Sequence, residues 1–279
     1  MMKNSSSILV ITLIILLISF FPTRSQSQAQ ETEDEREFDY TPGSDKGPER
    51  WGSLKEEWSA CKEGDMQSPI DLASARVEVV SQLGKLKRKY WANSAVIKNR
   101  GHDIAVEWDG DAGWIEINGT SYRLKQSHWH SPSEHTVNGR RYAMEIHMVH
   151  QTDDHKLAVV GMFYRFGRPD PFLSELLKNV RLTNEHGVKE VDPNEIRMAG
   201  HRYYRYVGSL TVPPCTEGVI WTINKKVKTV SREQLASLRE AVHDYAESNA
   251  RPVQALNNRR IYSSSATQIA TRVDSIIKD

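Results

Sequence analysis

Seven segments of this chain, 95–97, 104–108, 113–117, 122–130, 142–150, 157–166 and 219–223, alternate apolar and polar residues or are rich in β-branched and aromatic ones. Period-two alternation sends every second side chain to the same face of a strand, and the Gly, Asn and Asp residues between the segments mark turns. Helical periodicity is clear in only two places. Phe172, Leu173, Leu176, Leu177 and Val180 form one apolar stripe, and Ser231 with Gln234 spells a capping box ahead of Leu235, Leu238, Val242 and Tyr245. No internal linker divides the chain. The expectation is a mainly β single domain: one large, mostly antiparallel sheet with short peripheral helices.

Three histidines stand out against that pattern. In Gln126-Ser127-His128-Trp129-His130 the two histidines are two residues apart, so on a strand they share a face, roughly 7 Å apart along it. Asn138-Gly139, between 135–137 and 140–142, is a strong hairpin signal whose outgoing arm places Ala143, Glu145, His147 and Val149 on one face. A His-x-His pair alone is ordinary strand polarity. A third imidazole on the next arm changes the chemistry, because three neutral imidazoles can hold one zinc ion and leave a fourth position for water. The same parity sets Gln126 beside His128 and Glu145 beside His147, where an amide oxygen or carboxylate can accept the second ring N–H and fix the ligating tautomer.

The first thirty residues are of another kind. Lys3 precedes an apolar run over 8–21 that Pro22 ends, too short for a membrane span and suited to the core of a signal peptide. Residues 1–24 are therefore expected to be cleaved, with the cut between 23 and 30, to leave no membrane anchor. Residues 25–37 form an acidic N-terminus, 38–265 the domain, and 266–279 a tail. The chain of 279 residues carries 37 basic and 36 acidic groups, and loss of Lys3 and Arg24 leaves 35 basic ones. Such a balance gives nucleic acid nothing to bind. The two cysteines, Cys61 and Cys215, would meet an oxidising compartment and are expected to pair. Asn118-Gly119-Thr120 is both a glycosylation sequon and a hairpin turn between 114–117 and 121–124.

Several longer stretches, in order, carry a resemblance: 66–72 (MQSPIDL), 100–108 (RGHDIAVEW), 126–134 (QSHWHSPSE), 145–150 (EIHMVH), 208–214 (GSLTVPP) and 257–259 (NNR). Together they resemble the α-class carbonic anhydrases, from about residue 40 to about 262. The wording is similar to the plant secretory members, among them nectar proteins and yam tuber storage proteins. The resemblance implies a twisted sheet of about ten strands around a conical cavity, with cis bonds at Ser68-Pro69 and Pro213-Pro214. It also implies a zinc cofactor on His128, His130 and His147, and reversible hydration of CO2 to bicarbonate and a proton by zinc-bound hydroxide. Sulfonamide and anion inhibitors would then be expected to bind.

Further roles follow by matched position. Thr211 and Glu134 would orient the attacking oxygen, and Val149, Val159, Leu210, Val219 and Trp221 would form a dry wall for CO2. His102 would relay protons, with near-neutral titration suiting the task. Arg100, Ala105 and Val212 depart from residues common in animal relatives around the site, and the zinc histidines do not. His135 and His150 match positions that make structural hydrogen bonds. The secretory route points to an extracellular or apoplastic location, with the chloroplast reachable through it. A storage or redox-associated role on the same scaffold is the alternative. Relatives that abandon the chemistry replace a zinc histidine, and all three stand here.

Overall fold

The alternating segments assemble into one sheet, seen in a computed structural model that describes residues 37–182, 188–198, 200–242 and 248–264. The strands are β1 (Val77–Val80), β2 (Lys87–Tyr90), β3 (Asn93–Asn99), β4 (Ile104–Trp108), β5 (Gly113–Ile117), β6 (Thr120–His130), β7 (Thr136–Val137), β8 (Arg140–Arg141), β9 (Met144–Gln151), β10 (Leu157–Phe166), β11 (Val188–Val191), β12 (Tyr203–Ser209), β13 (Glu217–Val230) and β14 (Ile261–Ser264). Ten of them run in the order β1-β14-β12-β13-β10-β9-β6-β4-β3-β11, while β5 and β2 step off β6. Among the described strands, the β1–β14 and β10–β13 ladders are parallel and the other ladders antiparallel. The mainly β expectation holds.

Strand parity sorts the core onto two faces. Val106, Trp129, Ile146, Met148 and Val160 point to one face, where α3 (Pro171–Leu182) and α4 (Arg232–Ala241) cover them with Phe172, Leu173, Leu176, Leu235 and Leu238. The intervening residues of the same strands point the other way, into a cluster that includes Val149, Val159, Phe163, Tyr206 and Trp221. A third cluster, built on the short helices α1 (Trp51–Leu54) and α2 (Ala60–Glu63), packs Phe38, Tyr40, Trp51, Trp58 and Val212 around Cys61 and Cys215. The expected capping box is present: Ser231 Oγ accepts from the Gln234 N–H, and Gln234 Oε1 accepts from the Ser231 N–H. The helix ends at Ala241, so Val242 follows it as a partly buried cap.

Two local expectations need adjusting. Asn138 and Gly139 both adopt positive φ, as a tight hairpin requires, but the arms they join, β7 and β8, form a separate two-stranded sheet. The strand that carries His147 begins later, at Met144, and pairs directly with β6. Besides the two expected cis prolyl bonds there is a third, Ser131-Pro132, immediately after the second histidine. The expected signal segment, almost all of the acidic N-terminus, the C-terminal tail and Tyr245 lie outside the described residues, as does the Val180 side chain.

Candidate metal centre

Antiparallel register sets His128 directly opposite His147, and His130 lies two residues on along the same face of β6. The three ring centroids are 4.9, 5.2 and 4.6 Å apart. Their ligand nitrogens lie within 4.8 Å of one another, and all three side chains are buried. Each ring is held from behind through one nitrogen. His128 Nδ1 meets Gln126 Oε1 at 2.8 Å, His130 Nδ1 the Asn249 carbonyl at 2.7 Å, and His147 Nε2 Glu145 Oε1 at 3.0 Å. Carbonyl and carboxylate oxygens only accept, so those ring nitrogens carry the protons. What remains is Nε2 of His128, Nε2 of His130 and Nδ1 of His147, three lone pairs in one place. Burial, followed by Arg100 and the neighbouring imidazoles of His130 and His147, holds His128 well below the ordinary histidine range. His147 is lowered too, since burial outweighs the pull of Glu145. Both are therefore neutral at physiological pH, the form that ligates a metal.

Two buried carboxylates flank the cluster. Glu145 Oε1 also meets His135 Nδ1 at 2.8 Å, and its Oε2 accepts the His135 backbone N–H at 2.9 Å. His135 Nε2 contacts the Tyr206 hydroxyl at 2.7 Å, which in turn meets Ser68 Oγ at 2.8 Å. Burial alone would raise Glu145, but His135 and His147 overcome it and hold the carboxyl well below its usual range. Glu134 Oε1 accepts the Arg251 backbone N–H at 2.9 Å. Its other oxygen has no hydrogen-bond partner among the described residues and lies 3.5 Å from His130 Nε2 and 3.9 Å from His147 Nδ1.

The remaining candidates fall in several places. Val149, Val159 and Trp221 are cross-strand neighbours on β9, β10 and β13, and with Leu210 and Val219 they belong to one buried cluster. The Trp221 ring stands 4.8 Å from His147, so the apolar wall adjoins the histidines. Thr211 is buried in the turn between β12 and β13, where Leu210 N–H bonds Thr216 O; no hydrogen bond joins its hydroxyl to Glu134 among the described contacts. His102, on the β3–β4 turn, is buried rather than exposed, with its ring 5.0 Å from Phe38 and 6.1 Å from Tyr40. Beside it, Arg100 and Asp103 form a buried two-point ion pair of 2.8 and 2.6 Å. Cys61 and Cys215 are bonded. Asn118 is exposed at the tip of the β5–β6 hairpin.

Sequence reasoning missed Asn249 and Arg251. Arg251 is almost wholly buried, donating to Gln67 Oε1, Ser68 O and Cys61 O at 2.8 Å each, and burial pulls its pKa down to about 10. Asn249 serves His130 through a backbone carbonyl, which no side-chain pattern can announce. Gly161, opposite His147 on β10, was also missed: a Cβ there would stand 2.6 Å from Ile223 Cδ1 and 3.0 Å from Glu145 Oε1. Nothing in the sequence marks the spacing that requires it.

A buried imidazole nitrogen and a buried carboxylate oxygen without partners each cost on the order of 1–3 kcal/mol. His130 Nε2 and Glu134 Oε2 are such atoms, and both face the cluster. Three imidazoles with no fourth ligand grouped with them among the described residues suit zinc with one open position. A profile of the eukaryotic-type carbonic anhydrase family matches residues 46–265. The chain belongs to that family. This carbonic anhydrase is 50% identical over 270 residues to alpha carbonic anhydrase 7 of Arabidopsis thaliana, covering 94% of this chain and 98% of the relative. It superposes on dioscorin complexed with ascorbate with a TM-score of 0.81 at 45% identity, covering 83% of this chain and 99% of that one. For the Thermovibrio ammonificans α-carbonic anhydrase with the inhibitor sulfanilamide, the TM-score is 0.74 at 37% identity, covering 81% and 98%.

Proposed function

We propose that this carbonic anhydrase holds zinc on His128, His130 and His147 and catalyses reversible hydration of CO2 to bicarbonate and a proton. The observation that carries the reading is the three-histidine cluster, each ring backed by an acceptor that leaves one nitrogen turned inward. When bound, zinc supplies a water acid enough to ionise near neutral pH, behaviour for which carbonic anhydrases are the reference case. Gln126, Glu145 and the Asn249 carbonyl keep the three tautomers correct. A hydrogen bond from the Thr211 hydroxyl to the unpartnered Glu134 Oε2, which the described contacts lack, would leave the hydroxyl oxygen to accept a hydrogen bond from the attacking oxygen and aim it at carbon. Val149, Val159, Leu210, Val219 and Trp221 exclude water and give apolar CO2 a surface to rest on. His102 carries the released proton away, and bicarbonate, sulfonamides and small anions compete for the same opening.

The protein enters the secretory route through residues 1–24, functions in the apoplast, and carries a glycan on Asn118. The chloroplast is a second destination reached by the same route. Storage is compatible with this chemistry, but no observation favours it over catalysis, because no residue of the cluster has been lost. The test is sulfonamide-sensitive CO2 hydration by the purified mature protein. Turnover blocked by sulfanilamide is expected, whereas zinc-loaded protein that hydrates no CO2 would leave storage as the reading.

A further inference from the structure

The ladder between β4 and β6 ends at His128, the first histidine of the metal centre. It pairs Ala105 with His128, Val106 with Ser127 and Glu107 with Gln126. Continued in the same register, it would set His102 opposite Ser131, yet no backbone bond joins the two segments there among the described residues. The side chain of Asn249 occupies the gap. Its Nδ2 donates to His102 O at 2.8 Å and to Trp129 O at 3.0 Å, and its Oδ1 accepts the Ser131 N–H at 2.7 Å. A planar amide thus stands in for the missing rung. It bonds the turn that carries His102 on one side and the residues flanking His130 on the other.

We infer that the Asn249 side chain is a positioning residue for His102, coupling the relay segment to the strand that carries the zinc ligands. The inference rests on the proton-relay role proposed above. His102 lies outside any strand, so its backbone angles are not set by a ladder. A bond to its carbonyl restricts ψ, and with it the direction in which Cβ and the imidazole leave the chain. Phe38 and Tyr40 then hold the ring from one side. The contact with the zinc ligand itself is separate, because His130 is met by the main-chain carbonyl of the same residue. Side-chain replacement can therefore loosen the relay and keep the acceptor that fixes the His130 tautomer.

Asn249→Asp retains the acceptor for the Ser131 N–H and removes both donors, and Asn249→Ala removes all three bonds. In zinc-loaded protein of either variant, kcat in weakly buffered solution is expected to fall roughly ten-fold, kcat/KM by no more than about two-fold, and added imidazole to restore most of the kcat loss. The His102 C2 proton resonance, assigned by its disappearance in His102→Gln, should shift or broaden in both variants in the zinc-free protein. Equal loss of kcat and kcat/KM accompanied by loss of zinc would mean that Asn249 only holds the metal site together, and would overturn the inference. Unchanged kcat, or a loss that imidazole does not restore, would overturn it as well. If the wild-type protein hydrates no CO2, the catalytic reading fails by itself. The resonance then decides, and an unmoved His102 signal overturns the positioning role.

Discussion

Glu145 is asked to accept three N–H groups at once, from the His135 backbone, the His135 ring and the His147 ring. A glutamine has only one accepting oxygen and would turn its NH2 toward at least one of those donors. Glu145→Gln is expected to weaken zinc retention by about 10–100-fold, measured by competition with a chelator, with the fold intact by circular dichroism. Gln126 and Glu145 were legible because strand parity puts them beside their histidines. Asn249 and Arg251 were not, because they act on His130 and Glu134 through backbone atoms. A second residue-scale consequence concerns acid. His150 is buried against the Tyr90 hydroxyl at 2.9 Å, and burial lowers its pKa to about 3. Above the unfolded value of ~6.5 both states are neutral and nothing is lost. As the pH falls below that value the unfolded chain takes up a proton that the folded one refuses, so stability declines down to about 3. His150→Gln keeps a partner for Tyr90 and does not titrate. Between those limits its unfolding free energy should vary less steeply with pH, by roughly one proton in the slope.

At the scale of elements, the site depends on how closely β9 and β10 approach. Gly161 on β10 faces His147, and the space where its Cβ would stand is bounded by Ile223 and Glu145. Gly161→Ala is expected to destabilise the protein by about 1–3 kcal/mol in urea unfolding and to lower zinc affinity, because the displaced Glu145 no longer backs His147 squarely. The strands legible in sequence were those whose inward residues alternate cleanly: β4, β5 and β10 have the expected limits. Strand β13 runs on to Val230, past the expected end at 223, through the polar stretch Asn224 to Lys228. There it pairs with β10 beyond a bulge, an arrangement set by tertiary contact rather than local pattern. Likewise β2 spells Lys87-Arg88-Lys89-Tyr90, a charged sequence that lies beside β5 alone and so needs only one buried flank.

Across the whole molecule, the disulfide joins the two ends of the domain's logic. Cys61 anchors the N-terminal aromatic cluster, and Cys215 lies in the turn that carries Thr211, 154 residues away in sequence. The Cys61→Ser, Cys215→Ser double variant is expected to lose roughly 2–5 kcal/mol of stability, read from the urea midpoint at unchanged slope. Pairing was legible from the cysteine count together with the leader-like N-terminus. The Arg251 bond to Cys61 O, which connects that bridge to the residue holding Glu134, emerged only from the fold. Whether three histidines delivered by two adjacent strands hold a catalytic zinc is decided by metal analysis of dialysed protein. The mature wild-type protein should retain one zinc per chain and hydrate CO2, and His128→Ala, His130→Ala and His147→Ala should each retain none and be inactive. Stoichiometric zinc with normal turnover in dialysed His147→Ala protein would contradict the three-histidine site.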